Sequence, residues 1–222
     1  TSGDPRAYKV IELLNSRDFI LNFIEKYNLK RDIFAVKNYQ KDTGQLFYSS
    51  LVDNDGNWLR GKEPNNDATY QTFKVYYNIS YDLESGFIHI SAMHYSQYKA
   101  KEWVELLAFE VNELLRKIDL ENAEASIDYY KKQISESISE DLINVTTSLL
   151  EGEIRKKMLA NVRKDYALMP LDPAYFPDEK FSPSRPLILI FSIFLFGLLG
   201  IFIIYYKSLK KKFAEIVRKP DE

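Results

Sequence analysis

Leu187-Ile-Leu-Ile-Phe-Ser-Ile-Phe-Leu-Phe-Gly-Leu-Leu-Gly-Ile-Phe-Ile-Ile-Tyr-Tyr206 is a run of twenty residues without a charge. As a helix rising 1.5 Å per residue it spans ~30 Å, the thickness of a bilayer's hydrocarbon core. Pro186 falls in the first turn, where a missing N–H costs nothing. Tyr205 and Tyr206 fall at the far interface, and Lys207, Lys210, Lys211 and Lys212 follow them. A transmembrane helix over 187–206 is expected.

Working outward, 207–222 holds six Lys/Arg against three Asp/Glu, a net of +3, whereas 170–186 holds two against three, a net of −1. The positive-inside bias places the short tail 207–222 in the cytoplasm and everything N-terminal to the helix outside it. The chain carries −2 in all, so residues 1–206 carry −5. With no basic cluster, nucleic acid is not an expected partner. There is no cysteine, which removes disulfides, thiolate nucleophiles and zinc ribbons. The chain opens Thr1-Ser-Gly-Asp4, with neither an initiator Met nor an apolar leader. An outward domain held by a C-terminal helix needs something upstream to start its export, so an upstream signal or first membrane helix is expected.

The segment 170–186 carries Pro170, Pro173, Pro177, Pro183 and Pro186. Five prolines in seventeen residues predict a stiff, extended lead into the membrane helix. Upstream, Val10, Leu13 and Leu14, then Phe19, Ile20, Phe23, Ile24 and Tyr27, recur at helical spacing, with Ser16 as N-cap of a second helix and Asn28 as its end. Ile33–Tyr39 reads as an extended segment or a further helical turn. Residues 41–69 are polar and turn-rich, an ordered loop anchored by Phe47 and Trp58. Residues 72–81 alternate as a strand, Phe87–Met93 answers it, and Asp82-Leu-Glu-Ser-Gly86 makes the hairpin turn.

After His94 the period changes from two to about 3.6. Trp103, Leu107, Val111, Leu114 and Ile118 form one stripe, continued by Ile127, Tyr130 and Ile134, and no Gly or Pro interrupts 95–151. A helix over 96–133 extends ~57 Å, more than a compact domain of this size needs. A bend at 135–140 would return the chain through Ile154, Met158 and Val162, making 96–164 a long helical hairpin whose stripe is mostly interface. Tyr166–Leu171 is expected as a short strand.

Catalytic chemistry is not written in these residues. His89 and His94 should face opposite sides of a strand, which leaves no metal pair. No glycine-rich phosphate cradle or nucleophile elbow is present. Asp53, Asp55 and Asn57 around Gly56 fit a calcium loop poorly. The carboxylates of the long helix, interleaved with Lys and Arg, read as a solvated face. No catalytic residue, cofactor or metal site is expected.

One family does resemble the chain. Met158-Leu-Ala-Asn-Val-Arg-Lys-Asp-Tyr166, Asp172-Pro-Ala174, Pro177 and Ser182-Pro-Ser-Arg-Pro186 lead into a glycine-containing membrane helix and a basic tail. This order resembles the Wzz-type chain-length determinants, the bacterial polysaccharide co-polymerases. Leu14–Leu29 resembles the family's first periplasmic helix, and Ile90-Ser-Ala-Met-His-Tyr-Ser96 with Ala100, Trp103 and Asn112 its passage from strand to long helix. The resemblance implies a non-enzymatic inner-membrane protein with two membrane helices, the first lying upstream of this chain. It implies an α+β membrane-proximal periplasmic domain (1–95 and 165–186, with the Pro-rich lead) and a long helical hairpin arm (96–164). A homo-oligomer would act with a membrane-embedded polymerase, the growing glycan and the lipid bilayer to set O-antigen or lipopolysaccharide chain length. Two departures stand out. Gly197 and Gly200 are three apart where the family often has a four-residue step, and the arm is short. The alternative reading is a transmembrane adaptor or sensor for a capsule or exopolysaccharide tyrosine kinase.

Overall fold

The computed structural model describes residues 4–53, 55–176 and 185–218. It is a mixed helix-and-sheet structure in two compact units, Thr1–Phe176 and Pro177–Glu222.

The first unit opens with α1 (Pro5–Asn15) and α2 (Arg17–Lys26). Asp4 caps α1 by accepting the Arg6 N–H, and Pro5 stands at the first helical position. Ser16 ends α1 and caps α2, its Oγ accepting the Phe19 N–H at 3.2 Å. One serine thus forces the chain to turn between two apolar stripes. Asn28 follows the second helix at φ 52°, a left-handed position that Asn tolerates better than most residues. The ambiguous stretch 33–39 divides into the end of α3 (Lys30–Phe34) and the start of β1 (Val36–Gln40).

The loop expected over 41–69 contains β2 (Gln45–Tyr48), antiparallel to β1 with a bulge between Val36 and Asn38. Phe47 is 42% exposed and is not an anchor; Val52 is buried instead, bridging to half-buried Trp58. The strand expected over 72–81 is half wrong. Asn65 caps a helix α4 (Asn66–Tyr76), accepting the Ala68 N–H at 2.8 Å, and only β3 (Tyr77–Tyr81) is extended. Thr69, Phe73 and Tyr77 fall four apart, so the same aromatics satisfy a helical period as well as alternation, and tertiary burial of Thr69 and Phe73 decides for the helix. β4 (Ile88–Ala92) pairs antiparallel with β3 from Tyr77↔Ala92 to Tyr81↔Ile88. Gly86 closes their loop at φ +74°, and Asp82 accepts from the Glu84 N–H and the Ser85 hydroxyl.

Helix α5 (Gln97–Glu136) is 40 residues, ~60 Å long. Ser137–Ser139 turns the chain into α6 (Glu140–Val162), which packs back along α5, so the hairpin and its bend stand as expected. The core lies at the first half of α5, where Trp103, Leu107 and Val111 are fully buried against α1, α2 and α4 through Leu14, Phe23 and Phe73. The long helix is therefore part of the base, and the free arm is shorter than 96–164. Tyr166–Leu171 is not a strand.

The described residues of the second unit form one helix, α7 (Arg185–Arg218). Its segment Ile188–Lys207 is long and apolar enough to cross a membrane. Pro186 sits in its first turn, and a methyl group added at Gly197 or Gly200 would meet no neighbouring side chain of the helix. Pro170 and Pro173 lie in irregular, exposed chain, whereas Pro177 and Pro183 lie outside the described residues.

Candidate functional site

The feature that sets this domain apart is the hairpin arm and the way it is rooted. At its base the chain passes from β4 through His94 into the cap of α5. Ser96 is buried, and its Oγ accepts the Lys99 N–H at 3.4 Å. The Ser96 N–H donates to His94 Nδ1 at 3.0 Å, and the His94 ring lies 4.9 Å from the Trp103 indole. Burial holds His94 below the ordinary histidine pKa, opposed by the nearby Asp32 charge. His89 lies exposed on β4. Among the described residues no three His, Asp or Glu side chains are grouped to hold a metal.

Midway along α5, the returning chain is tied down by a side chain. Asn112 is buried; its Oδ1 accepts the N–H groups of Ala167 (2.9 Å) and Leu168 (2.7 Å), and its Nδ2 donates to the Leu168 carbonyl (2.9 Å). These are the bonds that a neighbouring strand would make, which is why 166–171 runs alongside α5 without being a strand. One turn on, Arg116 donates to the carbonyls of Arg163 (2.7 Å) and Lys164 (2.5 Å), closing the end of α6. Tyr166 donates to Asp119 at 2.9 Å. Around this knot a charged cleft of about 250 Å³ is lined by Arg6, Asp119, Asn122, Glu153, Lys156 and Tyr166. On the opposite side Glu110 takes Lys26 Nζ at 2.7 Å and the Tyr27 hydroxyl at 2.5 Å. Desolvation and that carboxylate push the Tyr27 hydroxyl up to about 12.

The stripe expected to be interface divides in two. Trp103, Leu107 and Val111 are fully buried base core and offer no surface to another subunit, whereas Leu114 is half-buried at the core's margin. Ile127 is buried in the helix pair, while Ile118, Tyr130 and Ile134 are only half-buried. Ala123 and Ile127 of α5, with Thr146 and Ala160 of α6, form a narrow seam, and Lys157 pairs with Glu124 at 2.8 Å. The small residues let the helices approach closely, but two helices cannot cover a wide apolar face.

Phe109 and Tyr129 of α5 are more than half exposed, but the uncovered aliphatic residues cluster on α6, where Leu159 (44% exposed) lies between two sets. Leu142, Val145 and Leu149 are 50–59% exposed and lie three and four residues apart, on one edge of the helix near the turn. Ile154, Met158 and Val162 are 39–81% exposed, four apart, on the other side of the seam toward the base. At 100° per residue the two sets are centred roughly 170° apart. Ile138, in the turn itself, is fully exposed. Apart from Glu110 and Asp119, which bond groups of other elements, charges of α5 form the expected solvated ladder, including Lys101–Glu105 and Lys117–Glu121.

Sequence pattern points to Asn112 only through a resemblance, gives no sign of Arg116, and puts Glu110 on a solvated face, where the structure instead shows it 14% exposed and bonded to Lys26 and Tyr27. A polar Asn between Val111 and Leu115 of an apolar stripe was the available signal, since a buried amide must find partners. Comparison with models of known protein families and with curated proteins returned no match.

Proposed function

We propose that this protein is a non-catalytic membrane-anchored scaffold that sets the chain length of a bacterial surface polysaccharide. It would act as a polysaccharide co-polymerase beside a separate polymerase in the inner membrane. In this reading α7 crosses the membrane, the first unit lies in the periplasm, and the basic tail faces the cytoplasm.

The observation that carries the reading is the pair of uncovered apolar edges on α6. Leaving six large apolar side chains in water on a helix already held in a hairpin is costly unless another surface covers them. Edges on opposite sides suit side-by-side packing of identical arms, and such a heterologous contact closes into a ring where the rotation per copy allows it. The sequence motifs Met158–Tyr166, Asp172-Pro-Ala174 and Ser182–Pro186, which resemble those of the chain-length determinants, support the same reading.

The test is genetic. A strain lacking the gene should lose the modal band of its polysaccharide ladder, and the wild-type gene should restore it. A variant with Leu142→Ser, Val145→Ser and Leu149→Ser should give a shorter or unregulated ladder at equal protein level. A ladder unaffected by deletion would refute length control.

A further inference from the structure

His94 occupies an unusual place for a titratable group, at the junction where the base hands the chain to the arm. It follows β4 by two residues and precedes the α5 cap by two. Its Nδ1 accepts the Ser96 N–H at 3.0 Å, and Ser96 in turn holds the first turn of α5, through Oγ to Lys99 N–H and through its carbonyl to Ala100 N–H at 3.0 Å. An imidazole nitrogen can accept only while it carries no proton. The neutral ring must therefore carry its proton on Nε2, which is buried; the Asp32 backbone carbonyl acts on the ring, but no well-aligned bond to Nε2 forms among the described residues.

We propose that His94 is a proton-operated latch between the base and the arm: the second proton lands on Nδ1, removes the Ser96 N–H bond and loosens the first turn of α5. The latch has few other holds. The groups facing the ring are Asp32 of α3, which favours the imidazolium, Lys99 of α5, which opposes it, and the Tyr95 ring edge at 6.5 Å. Asp32 is itself bonded by the Tyr48 hydroxyl of β2 at 3.0 Å, so its charge is shared. The Trp103 indole beside the ring, 4.9 Å away, is fully buried. The latch stands on the junction alone; that it senses acidity outside the cell rests on the outward orientation proposed above.

The test uses the full chain in detergent micelles. Ring-proton NMR follows His94 against exposed His89, the other histidine in the chain. Hydrogen exchange, corrected for intrinsic rates, follows the Lys99 and Ala100 amides over the same pH range. As His94 titrates, those amides should lose protection by about fivefold or more, the scale of one lost cap, while the Val111–Leu115 turn stays protected. His94→Asn keeps an acceptor near Nδ1 that does not titrate and should hold the amides protected throughout. Unchanged protection in the wild type while His94 titrates overturns the latch, as does the same acid loss in a folded His94→Asn variant. A His94 that stays neutral until the whole domain unfolds overturns it too. These outcomes are independent of any polysaccharide phenotype, so failure of the latch and failure of the proposed function are separately visible.

Discussion

The two halves of α5 are made from similar residues and live in different surroundings. Trp103, Leu107 and Val111 meet three other helices and are sealed from water, whereas Tyr130 and Ile134 meet one helix and stay half-exposed. The first half is a core element, and the second is a strut. A helical period says that a face is apolar; it does not say how many neighbours will cover it. Covering one large side chain fully is worth about 1.5–3 kcal/mol, so stability should be concentrated at the root of the arm and its tip should open first.

That contrast can be broken by substitution. Trp103→Ala removes the largest fully buried side chain and should cost about 3–5 kcal/mol, read from the denaturant midpoint by circular dichroism. A loss below 1 kcal/mol would remove the idea of a root-centred core. Asn112→Ala strands two amide N–H groups and a carbonyl and should cost about 3 kcal/mol. Hydrogen exchange should rise at 166–169 while the tip of the arm keeps its native rates. Ile127→Ala, in the narrow seam, should cost about 2 kcal/mol, the lower end for buried aliphatics, and should loosen 130–150 without touching the base.

Acid supplies a smaller perturbation at the root. His94 is held below its ordinary value in the folded state, so between roughly 6.5, the unfolded value, and that lower folded value the unfolded chain binds more protons. Stability should therefore be complete above about 6.5, fall as pH drops through the window, and level off below the folded value. His94→Asn should flatten that slope. At the smallest end, Leu142→Ser, Val145→Ser and Leu149→Ser should each cost an isolated protomer no more than about 1 kcal/mol, because half or more of each side chain is already in water.

The parts legible in the sequence are those where one local signal had no competitor. Ser16 between two apolar stripes marked the break between α1 and α2, Gly86 marked the β3–β4 turn, and the unbroken 3.6 period marked α5 and α6. Residues 72–76 were illegible because Phe73, Val75 and Tyr77 alternate while Thr69, Phe73 and Tyr77 also step by four; the choice was made by burial of Phe73 beneath Trp103. Tyr166–Leu171 was misread because its backbone partner is an amide side chain 55 residues away, which no local pattern records. The stripe of α5 was read as one interface because period is continuous across the point where the base ends. The uncovered edges of α6 were visible only as apolar residues; which of them a hairpin leaves bare depends on the phase of the α5–α6 seam.

The account turns on whether those edges are covered by other copies of the chain. Native mass measurement of the full chain in detergent tests this most directly, comparing wild type with the triple Leu142→Ser, Val145→Ser, Leu149→Ser variant. The account predicts a wild-type oligomer of defined size and a variant shifted to monomer with its helical content unchanged. A monomeric wild type, or an oligomer that the variant leaves intact, would contradict it.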